Sequence, residues 1–362
     1  MLLVVNAGSS SLKLAVFDPS LRQVAQARAE RIGTGGAADH TEALQAGLAE
    51  MGLLATDLTA AAHRVVHGGA GLTAACRITE RVVAEIEACA AFAPLHNPAN
   101  LMGIRALAAL APDLPQYTSF DTAFHATNPA LATTYALPKS ERDRGLRRYG
   151  FHGLSYAAIV RKLKHSTPPL PSRLLVFHLG NGASACAILD GQSVASTMGF
   201  SPLDGLTMGT RGGSLDPAVV LDLAARHGVD GASRILNRES GLLGLGGVAD
   251  MRALHAAATP EAGFAIDQFC YAAARHAGSL MVAMGGLDAI VFTGGIGEND
   301  ATVRAGILDR LAFARVAYDP ALNRAGAGEL HETGAHVAIW TVPADEERQI
   351  ALEAQAVMEG EP

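Results

Sequence analysis

An α/β fold whose core occurs twice is what this sequence predicts, on three observations. Apolar, β-rich runs alternate with helical patterns along the whole chain. The run Leu2–Asp18, LLVVNAGSSSLKLAVFD, returns half a chain later as Leu174–Asp190, LLVFHLGNGASACAILD, with Gly8 falling on Gly180, Asn6 on His178, Val16 on Ile188 and Asp18 on Asp190. Each copy is an apolar run, a Gly/Ser/Asn turn, a second apolar run and an Asp. That pattern predicts a strand–turn–strand hairpin whose turn can bring backbone N–H groups close to an anion. Finally, 362 residues are long for one core, and two domains are the natural prior.

The remaining elements follow in order. Gly33–Ala38 is a soft loop and Thr41–Met51 has helical spacing. His63–Val66 is a short strand entering Gly68-Gly69, and Glu80–Phe92 is an apolar-periodic helix. Asn97-Pro98 predicts a helix start, with Asn as N-cap and Pro at the first helical position, in a helix running to about Leu110. Pro115–Phe120 reads as a strand ending at Asp121. In the second half, Asp216-Pro217 opens a helix that Gly228 closes, and Pro260–Met284 is a long Ala-rich helix. The strand Asp288–Thr293 runs into Gly294-Gly295-Ile296-Gly297-Glu298-Asn299 and a helix, the arrangement of an anion or nucleotide site. The strand His336–Val342 precedes Asp345-Glu346-Glu347 and a C-terminal helix.

Composition excludes several function classes. Hydrophobic residues make up 49% and charged residues 17%, enough for a sizeable interior. Net charge is −7 and no Lys/Arg run stands out, so neither a nucleic-acid nor a membrane surface is expected. Cys76, Cys89, Cys186 and Cys270 are scattered without a CxxC pair, which fits buried thiols in a reducing compartment. The apolar start Leu2–Val5 is too short for a signal peptide, and no run approaches a membrane span, so a cytoplasmic protein is expected. The chain has no Gly-Lys-Ser/Thr of a P-loop and no protein-kinase Gly-rich loop with its His-Arg-Asp partner. Gly244-Leu245-Gly246-Gly247 is a weak dinucleotide fingerprint that follows no clear strand.

Several motifs, in order, carry a resemblance: NAGSSSLK (Asn6–Lys13), HRVVHGG (His63–Gly69), APLHNP (Ala93–Pro98), FDTAFH (Phe120–His125) and YGFHG (Tyr149–Gly153). HLGNG (His178–Gly182), MGFSPLDGLTMGTR (Met198–Arg211) and GGIGEN (Gly294–Asn299) complete the series. Together they resemble the acetate kinase family of the acetate and sugar kinase–Hsp70–actin superfamily, over the whole chain. The resemblance implies reversible transfer of a phosphoryl group between ATP and acetate, giving acetyl phosphate and ADP, with Mg²⁺ or Mn²⁺. It implies two duplicated actin/Hsp70-like (ribonuclease H-like) domains flanking a nucleotide cleft, at residues 1–148 plus the C-terminal helix 347–362, and 149–346. A homodimer is expected from the family alone.

Phosphoryl transfer needs positioning and positive charge around the transferring group more than covalent chemistry. Arg64 and Arg211 suit that need because a guanidinium fork bonds two oxygens at once. An arbitrary arginine more often makes a surface ion pair; within these motifs, Arg64 matches the family's substrate arginine and Arg211 its transition-state arginine. Asp121, at a strand end, matches the catalytic aspartate, with a helix N-cap as the plainer alternative. A carboxylate substrate is already ionised at neutral pH, which favours positioning over proton abstraction. His152 matches the transition-state histidine. Lys13 matches an ATP-contacting lysine, and His178, Leu179, Gly180, Asn181 and Gly182 match the loop at the phosphates. Asp250, Met251 and Arg252, with Gly295, Ile296, Gly297, Glu298 and Asn299, match the parts that hold adenosine. Asn6 and Glu346 match the Mg²⁺ positions, Glu346 being chosen among three adjacent acids by alignment with the family's ending. Val66, Leu95, Phe151 and Pro202 map to the acyl pocket, although all four residue types are ordinary in a core.

The chain departs from the family pattern in places. Leu154 and Tyr156 replace a Thr and a His just beyond His152, Ser214 stands where the family has an acid three residues after Arg211, and Ala344-Asp345 replaces Thr-Asn. The stretch between Arg31 and His63 is shorter than usual. Two other readings compete: the same chemistry on propionate or another short acid, and an actin/Hsp70-like ATPase switch with a protein partner. A switch has no use for Arg64, Asp121, His152 and Arg211 together.

Overall fold

The computed structural model describes residues 1–166, 169–326 and 328–361. The first hairpin forms as expected: β1 (Leu2–Ala7) and β2 (Ser11–Phe17) are antiparallel, and Gly8 N donates to Ser11 O at 2.8 Å to close the turn. A third antiparallel strand, β3 (Gln23–Glu30), follows. The Asp at the end of the repeat is a turn former: Asp18 accepts from Ser20 N (2.9 Å) and Arg22 N (3.0 Å) to steer the chain into β3. Then come α1 (His40–Glu50), β4 (Ala60–Val65), β5 (Cys76–Arg77), α2 (Glu80–Ala88), α3 (Asn97–Leu110) and β6 (Gln116–Phe120). The sheet order is β3-β2-β1-β4-β6-β5, with β1, β4 and β6 parallel.

After the short helices α4 (Ala130–Thr133) and α5 (Lys139–Arg142) comes α6 (Gly153–Lys164), and then the pattern restarts. Strands β7 (Arg173–Leu179), β8 (Ala183–Leu189) and β9 (Gln192–Ser196) form a second antiparallel meander. Helices α7 (Pro217–Arg234), α8 (Gly241–Gly246), α9 (Met251–Ala257) and α10 (Pro260–Met284) lead to β10 (Ala289–Thr293). Next are α11 (Gly294–Asn299), α12 (Ala301–Asp309), α13 (Pro320–Ala325) and β11 (Ala338–Thr341); α14 (Glu346–Gly360) closes the chain. The second sheet runs β11-β10-β7-β8-β9, with β10 parallel to both β7 and β11. Read from its other edge, it repeats the order of the first sheet: three antiparallel strands, then parallel ones reached by helical crossovers. The duplicated α/β core is therefore present, and it is larger than the two hairpins visible in the sequence.

The chain forms two compact units, Met1–Ala126 with Phe151–Ala158 and Asp345–Pro362, and Thr127–Gly150 with Ile159–Ala344. In the first, the period of two sorts side chains to the two sheet faces. Leu3, Val5, Leu14 and Val16 meet Ala43, Leu44 and Leu48 of α1, whereas Leu2, Val4, Ala15 and Phe17 meet Ile350, Ala351 and Ala354 of α14. Helix α14 thus supplies one of the two layers that the first sheet needs. In the second unit, Leu174, Leu175, Val176 and Phe177 are all buried, and Phe177 stacks on Phe292 of β10 at 5.3 Å. No helix among the described residues is long and apolar enough to cross a membrane.

Three local expectations change in detail. Gly228 interrupts α7 with φ 70° and ψ 170°, and the chain then resumes a helical path instead of ending there. The Gly244–Gly247 run is the end of α8, closed by Gly247 in the left-handed region, which removes the fingerprint reading. Asn97 lies inside α3 and does not cap it. Its buried amide accepts from His67 N (3.1 Å) and donates to His67 O (3.0 Å) and Ile86 O (3.2 Å). One turn on, Asn100 accepts from Val66 N (3.0 Å) and donates to Ala7 O (2.7 Å). The two amides satisfy backbone groups where β1 and β4 end. Asn100→Ala is expected to lower unfolding stability by about 1–3 kcal/mol, by leaving Val66 N–H and Ala7 C=O unpaired. Urea denaturation of the two proteins measures it.

Candidate active site

The carboxyl ends of adjacent parallel strands are where an open α/β sheet exposes side chains that neither face has consumed. In the first unit these ends belong to β1, β4 and β6, and they place Asn6, Arg64 and Asp121 side by side. Arg64 Nε donates to Asp121 Oδ1 at 2.8 Å and Nη2 to Oδ2 at 2.6 Å, a bidentate ion pair. Arg64 Nη1 also reaches Asn6 Oδ1 at 3.4 Å. Asp121 is 2% exposed, so the pair is close to fully desolvated on the acid's side. Burial works against the Arg64 charge, but the Asp121 carboxylate outweighs it and holds the guanidinium above its usual range. Asp121 is not a helix cap. Its side chain is committed to Arg64, and the remaining N–H bonds of Nη1 and Nη2 are what Arg64 has to offer a ligand.

Asp121 also fixes the turn that carries His152. Its carbonyl accepts from Gly153 N at 2.8 Å, and a Cβ at Gly153 would lie 2.3 Å from that oxygen. His152 itself adopts φ 57°, the left-handed region that a β-carbon disfavours, and such strain is retained where surrounding contacts over-determine the turn. One of those contacts is buried His125, whose Nε2 donates to Phe151 O at 2.9 Å. Burial lowers His125 to about 4, so it is a neutral donor at physiological pH. Tyr156 and Leu154 turn out to be packing residues. Tyr156 is fully buried with its ring edge-on to His125 at 5.7 Å, and Leu154 joins Leu2, Tyr117 and Ile350 in the core.

Glu346 stands in the first turn of α14. Desolvation raises its carboxyl; Arg64 opposes that shift, Asp121 and Glu347 add to it, and Lys13 opposes it. Lys13 is the register partner of Asn6 on β2. Glu353, one helical repeat further along α14, was not among the expected residues, yet it too faces Asp121 and is raised by burial. Of the expected acyl-pocket residues, Val66 and Phe151 are buried in this unit, Leu95 is 43% exposed, and Pro202 belongs to the second unit.

In the second unit, β7 and β10 end together, with Thr293 in register with His178. The turn after β7 is closed by Gly180 N donating to Gly182 O (3.0 Å), the counterpart of the Gly8 turn. Gly294, at φ 79°, lets the next turn approach it; a Cβ there would sit 2.7 Å from Leu179 O. A cavity of about 900 Å³ opens beside these turns, lined by Gly180, Asn181, Asp250, Arg252, Ile296 and Asn299 among others. That volume suits a nucleoside-sized ligand. Leu179 and Gly297 are buried beneath it. Glu298 turns its carboxylate to the backbone, accepting from Gly294 N and Ala344 N, both at 2.9 Å. His255 and Asp300, which the sequence motifs do not mark, line the same cavity and bond each other at 2.8 Å. An Asp-Ala-Thr helix start at Asp300 is the only sequence signal they carry.

Arg211 also lies in this unit. Its Nη1 donates to Pro202 O at 2.7 Å, and among the described residues no acidic side chain pairs with it. Desolvation, uncompensated, lowers its pKa. The two arginines therefore differ in kind: Arg64 is locked to an acid, and Arg211 keeps most of its donors available.

The acetokinase family model matches residues 1–352. The chain belongs to that family. Among its relatives, the acetate kinase of Rhodopseudomonas palustris is 41% identical over 99% of each chain, and that of Micrococcus luteus 44% identical over 97% of each. Among solved structures, an acetate kinase from Porphyromonas gingivalis is similar with a TM-score of 0.90 and 34% identity, covering 99% of both chains. A propionate kinase from Francisella tularensis is similar at 0.91 and 36%, covering 97% of this chain and 98% of its own. In this member of the acetokinase family, the histidines of the motifs add a pH dependence. His63, His67 and His125 are each lowered from 6.5 to about 4 by burial. Their neutral forms favour the fold, so this stability is complete above pH 6.5 and is lost as pH falls from there towards 4. The urea midpoint is expected to fall from about pH 7.5 to about pH 5, and His125→Asn to flatten that slope.

Proposed function

We propose that this acetokinase family member transfers a phosphoryl group reversibly between ATP and acetate, forming acetyl phosphate and ADP. An acetate oxygen attacks the γ-phosphorus, the bond to the β–γ bridging oxygen breaks, and ADP leaves with that electron pair. The observation that carries this reading is that, inside the family's motifs, Arg64 is locked to Asp121 whereas Arg211 has no acidic partner among the described residues. Arg64 suits the ground-state carboxylate, because a guanidinium already fixed by Asp121 loses little freedom on binding. Arg211 suits the equatorial oxygens of the phosphoryl group, where negative charge must be met in the transition state. Asp121 positions Arg64 and abstracts no proton, since its oxygens are taken and acetate arrives ionised. His152 is assigned a hydrogen bond to the phosphoryl group from its strained turn. Lys13 and the 178–182 turn are assigned to the phosphates, and residues 250–252 and 295–299 to adenosine, with Glu298 acting through the backbone.

Magnesium fits the donor set. Asn6 Oδ1 and the Glu346 carboxylate are hard oxygen ligands, and the raised Glu346 sits among Asp121 and Glu347 where added positive charge is favourable. Among the described residues no cluster of three or more His, Cys, Asp or Glu could cage a metal alone. That is consistent with Mg²⁺ held by one or two side chains plus phosphates and water. When bound, the ion would neutralise charge on the phosphates. A homodimer is supported by Phe264, Tyr271 and Val282, exposed along α10, and a cytoplasmic setting by Cys76, Cys89, Cys186 and Cys270, which form no disulfide.

Propionate is the second reading, supported by the likeness to the Francisella protein; one methylene changes binding by only about 1–3 kcal/mol. Initial rates with ATP, Mg²⁺ and hydroxylamine, offering acetate, propionate and butyrate in parallel, decide. Acyl hydroxamate should form fastest from acetate and vanish when Mg²⁺ is withheld. Slow ATP loss indifferent to the acid would instead mark an ATPase switch. Arg211→Ala is expected to lower kcat by about 10²–10³-fold with KM for ATP little changed, as loss of a transition-state donor does.

A further inference from the structure

The loop that carries Arg211 is braced by a residue of its own motif to which no role has been given. Two backbone runs cross at contact distance, and glycine permits it. A Cβ at Gly205 (φ 102°) would lie 2.7 Å from Thr197 O, and one at Gly213 (φ 76°) 2.4 Å from Gly205 O. Ser214 N donates to Gly205 O at 3.0 Å across this crossing. Asp204 ties it together. Its Oδ1 accepts from Gly205 N at 2.8 Å and from Ser214 Oγ at 2.7 Å, and its Oδ2 accepts from Arg148 Nη1 at 2.8 Å. Arg148 lies over the Tyr135 ring at 5.0 Å, and the Tyr135 hydroxyl accepts from Phe200 N at 3.0 Å. Pro202 sits between these anchors at 200 and 204. Its carbonyl is the one that takes Arg211 Nη1.

Ser214 stands where the family pattern has an acid. In this chain that acid would be a second carboxylate at hydrogen-bond distance from Asp204, with no additional cation among the contacts above. A hydroxyl in that place donates instead of repelling. We propose that Asp204 is the residue that positions Arg211 for phosphoryl transfer here, and that Ser214 completes the brace by donating to it. The proposal rests on the acyl kinase reading above.

The full-length chain tests it through Asp204→Ala and the exchange Asp204→Ser with Ser214→Asp, which moves the carboxylate to the other side of the same hydrogen bond. Asp204→Ala should lower kcat at least about tenfold, with KM for acetate and ATP and calorimetric ADP affinity each within about twofold. The exchange should recover kcat to within about threefold of the parent, which a general loss of stability would not do. Should Asp204→Ala fail to fold, Ser214→Ala removes the hydrogen bond to the same carboxylate and the longer one that the hydroxyl accepts from Gly205 N (3.3 Å), and should cost about fivefold in kcat. Retention of more than half of kcat in Asp204→Ala, or an exchange variant no better than Asp204→Ala while both bind ADP, overturns the proposal. A parent enzyme that forms no acyl phosphate would sink the acyl kinase reading instead. The Arg211 Nε–Hε resonance, assigned by its loss in Arg211→Lys, then carries the test: it should shift or broaden in Asp204→Ala and return in the exchange. An unchanged resonance in Asp204→Ala overturns the proposal.

Discussion

The first unit is organised around one ion pair. Arg64 and Asp121 meet edge to edge at the ends of β4 and β6, and three other expected residues of that unit border them. Asn6 borders the same guanidinium, the Asp121 carbonyl pins the turn of His152, and Glu346 feels both charges. A desolvated ion pair is a poor source of stability, because removing two charges from water costs about as much as their attraction returns. Its value here is geometric. A bidentate fork has one orientation, so a guanidinium held this way meets a ligand already aimed.

Neutral groups carry that geometry outward. Asn97 and Asn100 complete the backbone where the strands stop, and neutral His125 holds Phe151 without adding a charge beside Asp121. In the second unit charged side chains do this. Arg304, 1% exposed, donates to the carbonyls of Gly297, Glu298 and Asn323 and to Asn323 Oδ1, which ties α11 to α13 beneath the nucleotide-sized cavity. Glu298 does the same with a carboxylate, gathering Gly294 N and Ala344 N. In both units the groups that shape the site are saturated by protein. Arg211 differs in that respect: among the described residues its hydrogen-bond partner is the Pro202 carbonyl.

The departures from the family pattern are absorbed by packing and hydrogen bonding. Tyr156 and Leu154 lie in the interior. Ser214 donates its hydroxyl to Asp204, ten residues earlier in the chain.

Much was legible from the sequence alone. Period-two runs and Gly/Ser turns specify strands and hairpins locally, so the duplicated α/β core could be read without a structure, as could the bounds of α10 and the motifs at the strand ends. What only the tertiary structure decided is partnership. Nothing local distinguishes Arg64, locked to an acid 57 residues away, from Arg211, which has none among the described residues. Nothing local shows that Asn97 ties the turn after β4 to α2 instead of capping its own helix, or that the Glu298 carboxylate binds backbone. Strands β3 and β9 escaped notice because their polar, half-exposed residues lack a strong apolar alternation. Secondary structure is written in short-range periodicity, whereas the state of a charged side chain depends on groups that only folding brings within a few ångströms.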